Sequence, residues 1–263
     1  VTTTEKIDDT GCWYYPGAST GDHAYCWKRS GHGRLNVTQA ITNSCNYFFA
    51  EMGYRLGLDE LNKYASSFGL GSHTGIEIGD ATGALAQEEQ GQDLAPWAAF
   101  GQANYLFTPL QLANYIATLV DGGEHYDAHL LKSVKSYDNS SVLYAGENKP
   151  SNSFTISSST LTAVKEGMHG LTTPGGSLAS YFASCVVDAG AKTGTAQVTK
   201  DIKNNGVFVC FAPYDNPQIA LAMVIEKGGS GAALASTAVK ILNAYFTADE
   251  IGATIIGENQ LLS

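Results

Sequence analysis

Two short motifs hold side chains that could bind anions and pass protons. Ser44-Cys45-Asn46 follows a stretch that reads as helix, and Lys192-Thr193-Gly194 begins a stretch that reads as strand. A serine hydroxyl and an asparagine amide both donate and accept hydrogen bonds, and a lysine ammonium offers a positive charge. Neither motif is specific alone, because serine and asparagine often bond nearby backbone and glycine in a strand often marks a bulge. Their interpretation depends on the elements around them.

The stretch 35–122 is predicted to be mainly helical. A helix over 37–43 leads directly into Ser44, and further helical periodicity follows it. The stretch 108–121 is the best-defined helix, because Thr108 is a good N-cap and is followed by a proline at the first helical position. Ser44 is therefore expected at the junction of two helices.

Beyond residue 190 the pattern changes to strands. The stretches Ala191–Val198, Val207–Ala212 and Gln218–Glu226 read as strands joined by short turns, which predicts an antiparallel meander. A helix from about Ala232 to Tyr245 follows and is predicted to pack on the sheet. Helices followed by a meander and a closing helix indicate an α/β or α+β architecture.

The composition is that of a folded, acidic protein. Of the 263 residues, 44% are hydrophobic and 15% are charged, and the formal net charge is −10. A nucleic-acid binder needs a basic face, and the sequence has no cluster of lysine and arginine, so nucleic acid is excluded as a partner. No apolar run approaches the roughly 20 residues of a membrane-spanning helix. The first residues do not read as a signal peptide.

The cysteines and histidines predict no metal site. There are 5 cysteines with no C-x-x-C spacing, which argues against a zinc ribbon or a redox motif. Cys12 and Cys26 flank a glycine-rich loop and could pair; the alternative is that the cysteines are small buried hydrophobic residues. His125 and His129 are four residues apart, but the sequence around them predicts a loop and offers no third ligand. His32, between two glycines, is interpreted as a turn residue.

The order of the motifs resembles that of a known enzyme family. The stretch from Gly31 to Phe49 resembles the class B penicillin-binding protein pattern HG-x-x-NV-x-x-A-(L/I)-x-x-SCN-x-FF. Further blocks that resemble the family in the same order are Phe68–Gly71 with Thr74–Ile76, Gly101–Gln102 with Thr108–Ala113, and Gly190–Gln197. Ala103 departs from the glycine that the family usually has after Gly-Gln. Because the blocks cover essentially the whole chain, the sequence is identified as resembling the transpeptidase domain of this family.

This resemblance implies a fold and a domain organisation. The expected fold is α/β (α+β), with an antiparallel five-stranded sheet flanked by helices and an all-helical subdomain. Residues 1–263 are expected to form one transpeptidase domain, with 35–122 as the mainly helical subdomain and 1–34 with 123–263 as the α/β subdomain. The cleft is expected between them, with Lys192 on one wall and Ser44 on the other.

The resemblance also implies roles for residues. Ser44 would relay a proton to the leaving nitrogen, and Asn46 would hold a substrate amide. Lys192 would attract the substrate carboxylate and polarise Ser44, and these three are the predicted catalytic residues. The backbone N–H of Thr195 would form half of an oxyanion hole. No cofactor or metal is implied, and the residues expected to bind substrate are Thr193, Gly194, Thr195 and Gln102.

The serine-x-x-lysine motif that carries the nucleophile in this family is not found in the sequence. No lysine has a serine three residues before it, and the nearest imitation is Thr3–Lys6. Because Val1–Thr3 resembles the residues that directly follow this motif, we expect the nucleophile just before Val1, with the domain truncated after the motif, and the chain as given not to acylate.

Three functions remain open. The first is a peptidoglycan D,D-transpeptidase domain that binds penicillin and cross-links stem peptides by serine acyl transfer. The second is a catalytically inert, penicillin-binding-like scaffold or binding module. The third is a β-lactamase, which is disfavoured because no glutamate is evidently placed to activate a deacylating water.

The resemblance finally implies ligands and a place in the cell. Peptidoglycan stem peptides and β-lactam antibiotics are the expected ligands, and other cell-wall synthesis proteins are the expected partners. The expected location is the outer face of the cytoplasmic membrane, with the membrane anchor absent from this chain.

Overall fold

Capping residues set the start of the main helices. The computed structural model describes residues 2–17, 23–88, 92–197 and 202–248. Its helices are α1 (Val37–Thr42), α2 (Asn46–Leu56), α3 (Leu58–Ser67), α4 (Ala95–Ala98), α5 (Pro109–Val120), α6 (Ser158–Thr172), α7 (Ala179–Phe182) and α8 (Ala235–Thr247). Asn36 and Gln39 form a capping box at α1, and Thr108 and Gln111 form another at α5. The helices predicted over 37–43 and 108–121 are confirmed within one residue at each end.

Three C-terminal strands form the largest sheet among the described residues. The strands are β1 (Ile7–Asp9), β2 (Cys12–Tyr14), β3 (His23–Tyr25), β4 (Gly33–Leu35), β5 (Glu124–His125), β6 (Ser133–Lys135), β7 (Val142–Ala145), β8 (Asn152–Ser153), β9 (Gly190–Ala196), β10 (Asn205–Ala212) and β11 (Ile219–Ile225). The sheet has the order β11-β10-β9 and is antiparallel throughout. The predicted meander is confirmed. Val198, the predicted end of its first strand, lies outside the described residues.

The five-stranded sheet implied by the family resemblance is not seen. In the part of the chain that the structure describes, β1 to β8 form four separate two-stranded sheets. These strands have only two to four residues and pair with one another, so none of them extends the edge of the main sheet. The predicted mixed α/β class is confirmed. The division into a helical subdomain at 35–122 and an α/β subdomain at 1–34 and 123–263 stays a prediction.

The main sheet lies between two layers of helices. Phe208, Cys210 and Ala212 of β10 are buried against α8, where Ala238 and Leu242 complete that side of the core. The opposite face is covered by α5 and α6, and α1 lies in turn against α6. This order brings the C-terminal end of α1 close to β9, which are the two elements that carry the predicted motifs.

Candidate active site

Ser44 lies in the tight connection between α1 and α2. The N–H of Cys45 donates to the carbonyl of Ala40 at 2.9 Å, and the N–H of Ser44 donates to the carbonyl of Ile41 at 3.1 Å. These two bonds define a Schellman motif, in which the residue after the C-cap adopts a left-handed conformation. Ser44 occupies that position with φ 49°. Glycine is the usual residue there, since a Cβ atom makes this conformation unfavourable, so the backbone is strained at the predicted catalytic serine.

Lys192 reaches Ser44 from β9. Lys192 pairs with Val209 on β10, and both side chains lie on the face of the sheet opposite α8. The Lys192 Nζ donates to the Ser44 Oγ at 2.7 Å and to the carbonyl of Thr193 at 2.8 Å. The two predicted motifs, 148 positions apart in the chain, therefore meet in one hydrogen bond.

The ammonium of Lys192 has no carboxylate partner among the described residues. Its side chain is half-buried, and this burial lowers the pKa of Lys192 to about 8. A charged group is costly to remove from water unless it is paired, and the two uncharged acceptors only partly replace hydration. Lys192 is thus well suited to bind an anionic ligand. Its pKa of about 8 lies close enough to neutral pH for the group to transfer a proton as well.

The remaining predicted polar residues lie around this hydrogen bond. Asn46, at the start of α2, donates from Nδ2 to the carbonyl of Tyr25 at 3.2 Å. Gln102 donates from Nε2 to the carbonyl of Thr195 at 3.3 Å and so joins the loop before α5 to the end of β9. The Asn46 and Gln102 side chains are each half-buried, so part of each amide remains free to face a ligand.

A single cavity of about 660 Å³ collects all the predicted site residues. Its lining includes Ser44, Asn46, Gln102, Lys192, Thr193, Gly194 and Thr195. The apolar lining of the cavity was not predicted, because ordinary core residues such as Tyr115, Met168 and Phe49 form no motif. Trp27 also lines the cavity and was not predicted; its indole N–H donates to the carbonyl of Asn43 at 2.8 Å.

Behind the Ser44 loop lies a buried group of four potential metal ligands. One ligand atom from each of Asp9, Cys26, His32 and Cys45 lies within 4.8 Å of the others. The His32 Nδ1 is 2.6 Å and the Cys45 Sγ is 3.2 Å from the Asp9 Oδ2, and the Cys26 Sγ is 3.4 Å from the His32 Nδ1. Two cysteines, a histidine and a carboxylate form a donor set that Zn²⁺ accepts in proteins.

The pKa shifts in this cluster favour an anion at Asp9 and at one of the two thiols. Burial acts to raise the pKa of Asp9, but hydrogen bonds from His32 and from the N–H of Gly11 outweigh it and hold the pKa below its usual value. The hydrogen bond between the two thiols lowers the pKa of Cys26 and raises the pKa of Cys45, so the pair favours one thiolate and one thiol. Sequence reasoning did not find the cluster, because its members follow no regular spacing and His32 read as a turn residue.

Two further possibilities from the sequence were a Cys12–Cys26 disulfide and a metal pair of His125 and His129. All five cysteines are free thiols, so Cys12 and Cys26 are not bonded to each other. His125 is buried and its Nδ1 lies 2.9 Å from the Thr118 hydroxyl. It belongs to no ligand group with His129 among the described residues.

Comparison with known proteins agrees with this geometry. The family model for the penicillin binding protein transpeptidase domain matches residues 1–246. The chain belongs to this family. The predicted membership of the class B penicillin-binding proteins is confirmed by the relatives that it matches.

Named relatives and solved structures extend the comparison. Peptidoglycan D,D-transpeptidase MrdA of Escherichia coli is 31% identical over 274 residues, which cover 95% of this chain and 43% of that protein. The Pseudomonas aeruginosa PBP2 structure in complex with WCK 5153 has a TM-score of 0.81 and 26% identity, covering 100% of this chain and 58% of that chain. A Helicobacter pylori complex of PBP2 and MreC has a TM-score of 0.77 at 24% identity, covering 96% and 46%, and shows the shared fold. The chain thus spans less than half the length of the curated relative that it matches.

Proposed function

We propose that this chain supplies the substrate-binding cleft of a peptidoglycan D,D-transpeptidase that works by serine acyl transfer. The observation that carries the proposal is the Lys192–Ser44 hydrogen bond inside a cavity lined by every predicted site residue. MrdA of E. coli, which is 31% identical, bears the name of this activity. The same cleft would accept β-lactam antibiotics.

Each residue has a task that its position allows. The Lys192 ammonium attracts the carboxylate of the stem peptide, with the hydroxyls of Thr193 and Thr195 as further donors. Because the Ser44 hydroxyl accepts a hydrogen bond from Lys192, it is free to donate its own proton to a leaving nitrogen. The Asn46 amide holds the peptide backbone, and the N–H of Thr195 provides one half of an oxyanion hole.

The nucleophile itself is not assigned to any residue of this chain. The serine-x-x-lysine motif of the family is not found in the sequence. The proposal is therefore tested by measuring binding and acylation separately.

The first test is calorimetric titration of the chain with benzylpenicillin, together with intact-mass measurement of the mixture. We expect saturable binding without a covalent adduct. Lys192→Met should weaken binding by at least tenfold, since a hydrogen bond to a charged group contributes about 1.5–3 kcal/mol. Lys240→Met, which removes an exposed lysine of α8, is the matched control and should leave the affinity unchanged.

The alternatives predict different results. An inert scaffold would not bind benzylpenicillin, or would bind it equally well after Lys192→Met. A stoichiometric adduct would show that a residue of this chain is the nucleophile and would overturn the roles given above. Steady hydrolysis of benzylpenicillin would favour the β-lactamase alternative.

The cellular setting follows from the same proposal. We expect the cleft to act on peptidoglycan at the outer face of the cytoplasmic membrane. Among the described residues, no helix has both the length and the apolarity that a membrane crossing requires. Other cell-wall synthesis proteins are the expected partners, as the H. pylori PBP2–MreC complex illustrates for a protein of the same fold.

We also propose that Asp9, Cys26, His32 and Cys45 bind Zn²⁺ as a structural ion. The donor set and its burial support this, and the sequence-based expectation of no metal is replaced by this proposal. The residues would anchor the chain on both sides of α1, because Cys45 directly follows Ser44 and caps α2. No catalytic step is assigned to the ion.

A further inference from the structure

A row of exposed aromatic side chains begins at the catalytic cavity. Trp27 lines this cavity and is 64% exposed. Tyr25, two residues earlier, is 50% exposed, whereas Cys26 between them is buried. The carbonyl of Tyr25 accepts a hydrogen bond from the Asn46 Nδ2 at 3.2 Å. The row therefore starts beside side chains of the proposed catalytic site.

The two-stranded sheet of β2 and β3 continues this row away from the cavity. Tyr14 on β2 lies opposite His23 on β3, and facing residues of an antiparallel pair point to the same side of the sheet. His23 and Tyr25 are two residues apart on β3 and share that side as well. The other side carries Trp13 and Ala24, which are buried in the core. The outer face of this sheet is therefore aromatic, with Tyr14 67% exposed.

Contacts between the side chains hold the row in place. The His23 ring centroid is 4.6 Å from that of Tyr25 and 6.0 Å from that of Tyr14. The Arg29 guanidinium lies over the Tyr25 ring, 3.7 Å from its centroid, in a cation–π contact. Trp27 is held through the hydrogen bond of its indole N–H. We call Tyr14, His23, Tyr25 and Trp27 the aromatic strip; its order before binding lowers the entropic cost of holding a ligand.

The chemistry of the aromatic strip favours a sugar as its ligand. Single exposed aromatic residues are common, but a contiguous exposed row marks a contact surface. The ring faces are apolar, whereas hydroxyls, an imidazole and a guanidinium lie at the rim and need polar partners. A nucleic acid is disfavoured by the net charge of −10. Sugars offer both features, because each pyranose ring has a C–H face that packs on an aromatic ring and hydroxyls around its edge.

The shape of the aromatic strip narrows the class of sugar. Residues on one side of a strand are about 6.6 Å apart, which is of the same order as the repeat of one sugar ring in a glycan chain. A β-linked glycan is extended and can follow such a straight row. The acetamido groups of N-acetylated sugars add a methyl for the rings and an amide for the polar rim. The stem peptides of peptidoglycan are attached to a glycan of this class.

We infer that the aromatic strip binds the glycan strand of peptidoglycan, a chain of β-linked N-acetylated sugars, while a stem peptide of that strand occupies the catalytic cavity. This inference rests on the proposed function and adds a carbohydrate-binding surface to it. The two contacts lie next to each other and their ligands are covalently linked. Binding of one ligand therefore raises the effective concentration of the other at its own surface.

The test uses a sugar without any peptide. The chain is titrated with a β-linked tetramer of N-acetylglucosamine, followed by the NMR signals of the tryptophan indole N–H groups, and the Trp27 signal is assigned with Trp27→Phe. We expect saturable binding that shifts the Trp27 signal. An α-linked tetramer of glucose is the control ligand. It should bind about tenfold more weakly, because it lacks the acetamido groups and its curved chain does not follow the strip.

Variants assign the binding to the aromatic strip. Tyr14→Ala and Tyr25→Ala should each weaken the affinity for the N-acetylglucosamine tetramer about two- to tenfold, the effect of one aromatic contact. Tyr14→Phe keeps the ring and should retain most of the affinity. Tyr144→Ala is the matched control, because Tyr144 is 49% exposed on another two-stranded sheet, and it should bind as the wild type does. The unfolding temperature of each variant shows whether the fold is kept.

The outcomes separate this inference from the proposed function. If the chain binds benzylpenicillin through Lys192 but not the N-acetylglucosamine tetramer, the role of the strip is overturned and the proposed function is intact. Failure of both ligands to bind would overturn both. Equal affinity for the two tetramers, or unchanged affinity in Tyr14→Ala and Tyr25→Ala, would contradict the inference. A dimer in solution that Tyr14→Ala dissociates would show that the strip contacts a second copy of the chain instead.

Discussion

Ser44 combines a strained backbone with a side chain that the proposed reaction needs. Its left-handed φ of 49° is the position in a Schellman motif where glycine is favoured. Serine nevertheless occupies this position, and its Oγ lies 2.7 Å from the Lys192 Nζ. Strain of this kind is commonly stored at functional sites, where stability is lost for the sake of geometry.

A pair of substitutions isolates that strain. Ser44→Gly and Ser44→Ala both remove the hydroxyl, but only alanine keeps a Cβ in the left-handed conformation. We expect the glycine variant to be more stable than the alanine variant by about 1 kcal/mol. Urea denaturation measures the difference in free energy of unfolding. Equal stability of the two variants would show that the backbone at this position is not strained.

The pKa of Lys192 gives the site a pH dependence. Because burial lowers this pKa to about 8, the ammonium that attracts a carboxylate is lost as the pH rises through that value. Affinity for benzylpenicillin should be constant below about pH 7 and fall by up to tenfold per unit well above about pH 8. Lys192→Arg keeps its charge in this range, so its profile should be flat whatever its absolute affinity.

The lowered pKa of Lys192 also makes the free energy of unfolding depend on pH, in the direction opposite to the binding affinity. The unfolded chain holds the Lys192 proton more tightly than the folded chain, since the ordinary pKa is 10.5. The contribution of this residue to the free energy of unfolding therefore rises with pH between about 8 and 10.5. Binding and stability should change in opposite directions over that window, which a shared unfolding event could not produce.

At the scale of elements, the crossing of α1 and α6 sets the position of the Ser44 loop. The Thr42 hydroxyl donates to the carbonyl of Gly167 at 3.0 Å, and the Thr38 hydroxyl donates to the carbonyl of Ala163 at 3.1 Å. The helices approach so closely that a Cβ placed on Gly167 would lie 2.7 Å from the Cβ of Ile41. Ile41 is also a carbonyl acceptor of the Schellman motif, so the close crossing and the loop geometry are linked.

Gly167→Ala should therefore disturb both stability and the site. Overpacking costs about 1–3 kcal/mol and the gain in helix propensity returns up to about 1 kcal/mol, so we expect a net loss of roughly 1 kcal/mol. Benzylpenicillin affinity should fall as well, because α1 must shift. Ile41→Ala removes the Ile41 Cγ2, which would lie 2.9 Å from the new Cβ, but keeps the Ile41 Cβ. Adding it should therefore remove part of the Gly167→Ala penalty in a double-mutant cycle of unfolding free energies, whereas simple additivity would mean that the Cγ2 contact contributes nothing to the penalty.

At the scale of the whole molecule, the cleft is built from parts that are distant in sequence. The metal-ligand cluster joins the N-terminal strands to the start of α2, while β9 approaches the same loop from the main sheet. A cavity of about 490 Å³ that shares Gln102 with the catalytic cavity adds the segment before α4. The site therefore depends on packing between segments from both halves of the chain.

Zinc should stabilise this arrangement. We expect the chain to bind one Zn²⁺ per molecule and to unfold at a higher temperature with the ion than after chelation, because a ligand that binds only the folded state favours it. Cys26→Ser should abolish or strongly weaken the uptake, measured by elemental analysis and by the thermal shift. Cys185→Ser lies outside the cluster and should bind zinc normally; a thermal shift that persists in Cys26→Ser would contradict the site.

The sequence by itself determined the local elements and the family. Capping residues such as Thr108 and the short turns between the C-terminal strands depend on neighbours in the chain, so the helices near 37–43 and 108–121 and the meander were predictable. The ordered blocks from Gly31–Phe49 to Gly190–Gln197 indicated the family, because their order is a property of the sequence alone.

Only the tertiary structure decided which distant groups meet. The five-stranded sheet came from resemblance and was not seen, because the short strands of the described residues pair with one another. The metal-ligand cluster left no motif, since its members are brought together by packing across many residues. Whether a charge such as that of Lys192 has a partner depends on three-dimensional neighbours, and the order of residues in the chain does not determine those.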